Sequence, residues 1–295
     1  MLKKIYGLWL SVLSFVFGID FAKRFDAYLR FKRKLNLKNP QTLPDKVTYL
    51  FLHKITPLMS SCTDKWAVRD YISKKGLADI LIPIVGGPWN KVGEIDFNAL
   101  PDKFILKATH SCAMNLLVWD KTQLNITECK NRLQSWLDTT YGTYSVEPHY
   151  KTIPHRIYAE QALGDGNGLI DYKFHCCNGK PQFIMVCHDR DLYKSGHQMI
   201  RELFDTDWND LSQYVIPAGK ATTPRPTQLA RMLEIANILS ADFPFVRVDL
   251  YEVNEKIYFG ELTFSPTGGV FATYSNEFIE KMGKKLILSG KTNEK

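Results

Sequence analysis

The sequence lacks the glycine-rich loops by which many nucleotide-binding proteins are recognised. Neither the P-loop pattern GxxxxGK[ST] nor the dinucleotide pattern GxGxxG occurs in its 295 residues. Because those folds need such glycines for close backbone approach to phosphate, the sequence argues against both. It also has no internal repeat and no low-complexity segment, so we expect one large domain or two closely joined ones.

Cysteine is sparse and follows no metal-binding pattern. The six cysteines form neither a CxxC pair nor a zinc spacing, and no Ser-His-Asp or Cys-His arrangement stands out. Scattered cysteines in a chain of this length indicate reduced thiols and hence a cytoplasmic protein.

Acidic charge is nearly absent from the first forty residues. They hold nine Lys or Arg against Asp20 and Asp26, an excess of seven that equals the net charge of the whole chain. The remaining body is therefore neutral, and we expect no nucleic-acid partner.

The N-terminal segment combines this charge with apolar residues. Residues 5–19 are uncharged but fall short of the roughly 20 needed to span a bilayer, and no signal-peptide cleavage site follows. Residues 21–35 alternate aromatic and basic side chains at near-helical spacing, which is typical of a helix lying on anionic lipid. The alternative is a helix packed on the protein's own body.

We therefore predict two units. Residues 1–38 form a basic and apolar helical extension that could attach the protein to the inner face of the cytoplasmic membrane, and residues 39–290 form the main domain. Within that domain strands and helices mix without a strict βαβ rhythm, which favours an α+β or mixed α/β fold.

A β-hairpin over residues 245–264 contains an unusual set of charges. Apolar runs flank the polar turn VNEK, and alternation places Arg247 and Asp249 on one face. If the turn centres on Glu255, then Asp249 lies opposite Glu261, and Arg247 opposite Thr263. Two such carboxylates could hold Mg²⁺. The alternative is an ion-pair cluster on a solvated sheet face.

Several motifs in order resemble a known family. They are LNLKNPQT, TDKWAVRDYI, LPDKFILKATH, IPHRIYAEQAL, DYKFHCCNGKPQFI, FPFVRVDLY and IYFGELTFSPTGG. Over roughly residues 35–285 the chain resembles the ATP-grasp superfamily, and within it the TupA-like family named for teichuronopeptide biosynthesis. The resemblance implies an ATP-grasp fold, in which two α+β subdomains enclose ATP.

The resemblance also implies roles for particular residues. Lys65 and Lys107 would contact the ATP phosphates, and Glu160 would begin the hinge that carries adenine. The backbone there would recognise the base through Gln161, Ala162 and Leu163. Read alone, Lys65 could be a solvated helix residue, Lys107 could extend to solvent, and Glu160 could pair with Arg156.

The hairpin would supply the metal site in this resemblance. Arg247 would meet the β- and γ-phosphates and act with Lys107 in catalysis, while Asp249 and Glu261 would hold Mg²⁺. Thr263 stands where many members of the superfamily carry a metal-binding Asn, and its hydroxyl is a weaker ligand. Lys173 in DYKF could be a surface charge or a substrate contact.

One segment departs from the family pattern. The loop after the strand lysine usually contains glycines, but residues 108–115 read ATHSCAMN, with none. We therefore expect a stiffer loop over the phosphates.

The implied activity is that of an ATP- and Mg²⁺-dependent carboxylate–amine ligase. It would form an amide through an acylphosphate on a uronic acid or similar carboxylate in bacterial surface polysaccharide biosynthesis. Its partners would be a carboxylate-bearing glycan or lipid-linked saccharide and an amine such as an amino acid. The alternatives are a glycosyltransferase of capsule or O-antigen biosynthesis, with Asp189 and Asp191 as a DxD motif, or a non-catalytic envelope assembly protein.

Overall fold

The computed structural model describes residues 2–164, 168–188 and 199–288. The strands are β1 (Ile84–Trp89), β2 (Phe104–Ala108), β3 (Asn115–Val118), β4 (Ile157–Gln161), β5 (Asp171–Cys177), β6 (Lys180–His188), β7 (Ile200–Phe204), β8 (Phe245–Val253) and β9 (Lys256–Thr263). The helices are α1 (Leu2–Phe17), α2 (Ile19–Phe31), α3 (Leu43–His53), α4 (Pro57–Thr63), α5 (Val68–Lys74), α6 (Ile126–Leu137), α7 (Tyr141–Tyr144), α8 (Leu229–Ser240) and α9 (Asn276–Lys285). The predicted α+β class is confirmed.

The smaller sheet has four antiparallel strands in the order β1-β4-β2-β3. Alternation along β2 buries Phe104, Leu106 and Ala108 against α6 residues such as Leu133. The other face of β2 turns Ile105 and Lys107 toward a cavity. Because one face of β2 is buried and the other faces the cavity, the side chain of Lys107 points toward the cavity.

The larger sheet has five antiparallel strands in the order β7-β6-β5-β8-β9. Helix α8 packs on one of its faces through Met232, Ile235, Ala236 and Leu239, which follow helical spacing and are fully buried. Burying each large side chain of this kind contributes about 1.5–3 kcal/mol. The opposite face is left for the cavity.

The β8–β9 hairpin has the predicted pairing at its inner end. Asp249 pairs with Glu261 and Arg247 with Thr263, as expected, but the turn lies at Asn254 and Glu255 rather than being centred on Glu255. In the outer half Val253 therefore pairs with Lys256, one position off the expected register.

A bulge at Gly260 restores the pairing. The register shifts between Asp249 and Leu250, where β9 carries one extra residue. A Cβ added at Gly260 would lie 3.0 Å from Cε2 of Tyr251 and 3.1 Å from the carbonyl oxygen of Asp249. A side chain at this point would therefore crowd the neighbouring strand, which favours glycine in the bulge.

The two N-terminal helices pack against the body of the protein. Ala27 joins the core beside the larger sheet, and Leu10 packs with Ala22 and Val146. The interpretation of a helix packed on the body is therefore correct for α2. Within the described ranges, no helix is both long enough and apolar enough to cross a bilayer.

Candidate active site

A cavity of about 970 Å³ lies between the two sheets and collects nearly all the predicted site residues. Those that line it are Lys65, Lys107, Gln161, Ala162, Leu163, Arg247, Asp249, Glu261 and Thr263. The tenth, Glu160, is buried behind Lys107. Residues spread over nearly 200 positions of sequence therefore meet in one place.

Arg247 connects the two acids of the hairpin. Its Nε and Nη2 donate to Oδ1 and Oδ2 of Asp249, both at 2.6 Å, and Nη2 lies 2.9 Å from Oε1 of Glu261. Nη2 also lies 3.0 Å from Oγ1 of Thr263. The ion-pair cluster of the alternative interpretation is thus present, but it forms a cavity wall and not a solvated sheet face.

Two charges of this wall, on Glu261 and Arg247, are held in their ionised forms, whereas burial raises the pKa of Asp249. Burial disfavours the carboxylate of Glu261, but Lys65, Arg247 and Lys173 outweigh it and lower the pKa to about 2. Burial also disfavours the guanidinium of Arg247, yet Asp249 and Glu261 raise its pKa above the ordinary value. The site therefore carries fixed charges of both signs at neutral pH.

Lys173 belongs to the same wall and is therefore not a surface charge. Its Nζ donates to Oδ2 of Asp249 at 2.6 Å and also to Asp171. Burial opposes its charge, but these two acids raise the pKa of Lys173. It lies opposite Asp249 across β5 and β8, a pairing that a hairpin pattern cannot reveal because the strands are far apart in sequence.

Lys107 and Glu160 form a second ion pair, on the smaller sheet. Nζ of Lys107 lies 2.5 Å from Oε2 of Glu160, and Nη1 of Arg69 lies 3.3 Å from Oε1. The suggested pairing of Glu160 with Arg156 is wrong, because Arg156 bonds Asp64 at 2.8 Å. Both carboxylate oxygens of Glu160 are therefore engaged by cations of the protein.

Lys65 connects the glycine-free loop to the acids. Its Nζ donates to the carbonyl oxygen of Ser111 at 2.6 Å and lies 3.6 Å from Oε2 of Glu261. It is therefore not a solvated helix residue. The loop turns without glycine because Ala113 takes a positive φ of 58°, a conformation that costs an L-residue energy. The Ser111 hydroxyl has no hydrogen-bond partner within the described part of the chain.

The donor set fits a magnesium nucleotide. No group of three or more His, Cys, Asp or Glu side chains converges as a metal cage in residues 2–164, 168–188 and 199–288. Mg²⁺ does not need one, since it takes one or two carboxylates and completes its octahedron with water and phosphate oxygens. Asp249 and Glu261 supply that pair beside three cations.

Sequence reasoning missed a set of charges on α2. Lys23, Asp26 and Arg30 line the end of the cavity together with Glu147. A signal was present, because positions 23, 26 and 30 follow helical spacing and share one face. The proposed DxD motif of Asp189 and Asp191 lies outside the described residues.

Solved structures with similar folds include several ligases, all distant in sequence. A D-alanine–D-alanine ligase from Bacillus anthracis matches at 14% identity with a TM-score of 0.43, covering 70% of this chain and 59% of its own. A D-cycloserine synthetase matches at 12% with a TM-score of 0.49, covering 78% and 71%. An L-amino acid ligase from Bacillus licheniformis matches at 12% with a TM-score of 0.46, covering 86% and 55%.

The chain thus spans about six-tenths of the length of the Bacillus anthracis ligase. Comparison with curated proteins by sequence finds no match. A family profile does match, over residues 45–287, and it is the profile described as TupA-like ATPgrasp. That range contains both sheets and the ten residues whose positions were predicted at the cavity. The chain therefore belongs to the TupA-like ATP-grasp family.

Proposed function

We propose that this protein is an ATP- and Mg²⁺-dependent ligase that joins a carboxylate to an amine. The observation that carries the proposal is the meeting of Lys65, Lys107 and Arg247 with the acid pair Asp249–Glu261 in one cavity between two sheets. Such a site neutralises a polyphosphate with cations and offers two carboxylates to a hard metal ion.

Each group has a defined part in this proposal. Lys65 would hold the phosphates from the helical side, Lys107 from the smaller sheet and Arg247 from the larger sheet. Asp249 and Glu261 would hold Mg²⁺, with Thr263 as a weaker neighbour. Adenine would lie along the backbone of residues 161–163.

The chemistry is that of acyl activation. Transfer of the γ-phosphoryl group to the substrate carboxylate gives an acylphosphate, and the amine then displaces phosphate to form an amide. The chain's part is positioning and charge neutralisation, which require no protein nucleophile. This suits a cavity wall made of lysines, an arginine and carboxylates.

The substrate carboxylate in this proposal belongs to a uronic acid or similar residue of a surface polysaccharide, in the capsule or elsewhere in the cell envelope. The support for this class is the resemblance to a family that is named for teichuronopeptide biosynthesis. A second support is the N-terminal pair of helices, because an envelope saccharide under assembly is carried on a membrane lipid.

Those helices form the surface through which we propose that the protein contacts an anionic bilayer from the cytoplasmic side. Among the side chains that the structure describes, sixteen large apolar ones are exposed and ten of these lie in residues 5–29, with Phe15 at 91% exposure. Residues 1–40, which include this range, hold the entire positive excess of the chain. Apolar side chains beside basic ones complement a negatively charged lipid surface.

Trapping of the acylphosphate tests the ligase directly. The protein would be incubated with ATP, Mg²⁺, hydroxylamine and a panel of uronic-acid glycans, and hydroxamate formation measured. We expect an ATP-dependent hydroxamate with at least one glycan and none when Mg²⁺ is chelated. Absence of nucleotide binding by the wild type in calorimetry would overturn the proposal.

A further inference from the structure

We infer that Glu147 is the general base of the amine-attack step, and that its carboxylate takes a proton from the ammonium form of the amine substrate. The inference rests on the proposed ligase function, because it assigns a residue to the second half of that reaction. It is carried by the position of Glu147 on the cavity wall and by the hydrogen bonds that orient its carboxylate.

The second half of the proposed reaction needs a proton acceptor. An aliphatic amine is an ammonium ion at neutral pH, as the side chain of lysine is, and an ammonium has no lone pair with which to attack. Glu147 would take the first proton, which frees the lone pair to form the C–N bond. The C–O bond to phosphate then breaks, its electron pair leaves with the phosphate, and a second nitrogen proton goes to that phosphate. The amide nitrogen keeps the third.

Glu147 differs from the other acids of the cavity in its partners. Five carboxylates line the cavity in the part of the chain that the structure describes, and four of them pair with a lysine or arginine, namely Asp26, Asp171, Asp249 and Glu261. Glu147 instead accepts from the Ser265 hydroxyl, and Lys23 acts on its charge from beyond ion-pair distance. Its carboxylate is therefore the one most open to a cationic substrate group.

A chain of hydrogen bonds fixes the orientation of this carboxylate. The Ser265 hydroxyl donates to Oε1 of Glu147, and Nε2 of His149 lies 3.2 Å from Oγ of Ser265. A serine hydroxyl has one proton, so His149 must donate to it through Nε2–H. Burial lowers the pKa of His149 to about 3 and so keeps the ring neutral. All three side chains are buried, and a carboxylate that accepts one hydrogen bond retains lone pairs for an ammonium.

Glu147 lies near the phosphate end of the cavity. Ser265 follows Thr263 by two residues, so the chain limits their separation to about 7 Å. Burial raises the pKa of Tyr150, and both Glu147 and Glu261 raise it further, so the two acids lie on either side of one tyrosine. Tyr150, Glu147 and Ser265 line the same cavity. An amine held against Glu147 is therefore close to a carboxyl group activated beside Thr263.

The surroundings of Glu147 suit a base. Burial raises its pKa, whereas the Lys23 ammonium and the Ser265 hydroxyl act in the opposite direction. A carboxylate of raised pKa takes a proton more readily than an exposed one. Once protonated the group is neutral, which suits its buried position.

Two small nucleophiles of nearly equal size test the inference in the full-length chain. At neutral pH methylamine is an ammonium ion, whereas hydroxylamine is mostly uncharged. With ATP, Mg²⁺ and the panel of uronic-acid glycans, formation of the N-methylamide therefore needs a base and formation of the hydroxamate does not. Glu147→Gln should lower the rate of methylamide formation roughly a hundredfold or more. It should leave hydroxamate formation and nucleotide affinity unchanged.

Two further variants support the comparison. Ser265→Ala keeps the carboxylate but removes the hydroxyl that orients it, and should lower methylamide formation by roughly tenfold with hydroxamate formation unchanged. Should Glu147→Gln fail to fold, this variant decides the question by the same ratio of products. Glu280→Gln, an exposed change on α9, should alter neither rate.

The outcomes separate the base from the ligase proposal. A wild type that forms no hydroxamate with any glycan contradicts both together. A wild type that forms hydroxamate but no methylamide overturns the role of Glu147 and leaves the ligase proposal standing. The same conclusion follows if Glu147→Gln retains both products, or if it folds and loses both equally.

Discussion

Asp249 and Glu261 face each other across the β8–β9 hairpin, and one guanidinium nitrogen of Arg247 lies 2.6 Å from Oδ2 of the first and 2.9 Å from Oε1 of the second. The two acids can both leave this contact only if something else neutralises the arginine. A nucleotide phosphate would do so and free both carboxylates for a metal ion. The two interpretations of the hairpin are thus compatible states of one site.

Asp249→Asn is expected to abolish Mg²⁺-dependent ATP turnover and to destabilise the protein. Asp249 is fully buried and bonds both Arg247 and Lys173, so its loss removes one acidic partner from each cation, while Arg247 keeps Glu261 and Lys173 keeps Asp171. Removing one partner of a buried pair costs up to roughly 3–5 kcal/mol, and the remaining acids reduce this cost. Urea unfolding and a coupled ADP assay would measure the two effects. Full turnover by a folded variant would contradict the assigned role.

Lys107→Ala is expected to weaken ATP binding about ten- to hundredfold. A charge-assisted hydrogen bond to phosphate contributes roughly 1.5–3 kcal/mol. Arg69 remains 3.3 Å from Glu160 in the variant, so the buried acid keeps a partner. Lys103→Ala, just before the same strand and exposed, is the matched control. Equal affinities of the two variants in calorimetry would refute the phosphate contact.

Glu261 should make stability depend on pH in the acid range. Its pKa is lowered from 4.5 to about 2 in the fold. A carboxyl group whose pKa is lower in the folded state than in the unfolded state stabilises the fold at pH values above its unfolded pKa. This contribution disappears as the pH falls toward 2. Glu261→Gln should therefore make the free energy of unfolding decline less steeply with falling pH between the unfolded and folded pKa values. Glu280→Gln, an exposed change on α9, should not. Chemical unfolding at a series of pH values measures both slopes.

The outer face of α1 should hold the protein on anionic vesicles. Phe15→Glu places a charge at the most exposed apolar side chain and should reduce co-sedimentation, and salt should do the same to the wild type. Ile126→Glu changes an exposed apolar residue of α6 and serves as the control. Equal sedimentation of both variants would show that the N-terminal face does not contact lipid.

Alternation in the sequence was sufficient to predict which hairpin residues meet. The pairing of Asp249 with Glu261 was predicted correctly although the turn was misplaced by one residue, because the bulge at Gly260 compensates. A bulge leaves no periodic signal, and this glycine could be read only as part of a strand. Ordered motifs pointed to Lys65 and Lys107, because Lys65 follows a helix and Lys107 lies near the end of a strand.

Long-range packing was beyond the reach of the sequence. Lys173 reaches Asp249 through a pairing of strands more than seventy residues apart, which no local pattern specifies. Lys23 reaches Ser145 across 122 residues. The α2 segment was interpreted from its basic and aromatic composition alone. That interpretation missed the face of the helix whose charged side chains line the cavity. Partners of buried charges are fixed by tertiary contacts, which local periodicity does not encode.

The two faces of α2 affect how the protein can be prepared for study. An apolar N-terminal segment is commonly deleted to improve solubility. Deletion here would also remove Lys23, Asp26 and Arg30 from the cavity. A shortened protein would then lack three side chains of the cavity wall, and its binding assays would not report on the intact site. Polar substitutions on the outer face of α1, such as Phe15→Glu, would improve handling and leave the cavity wall in place.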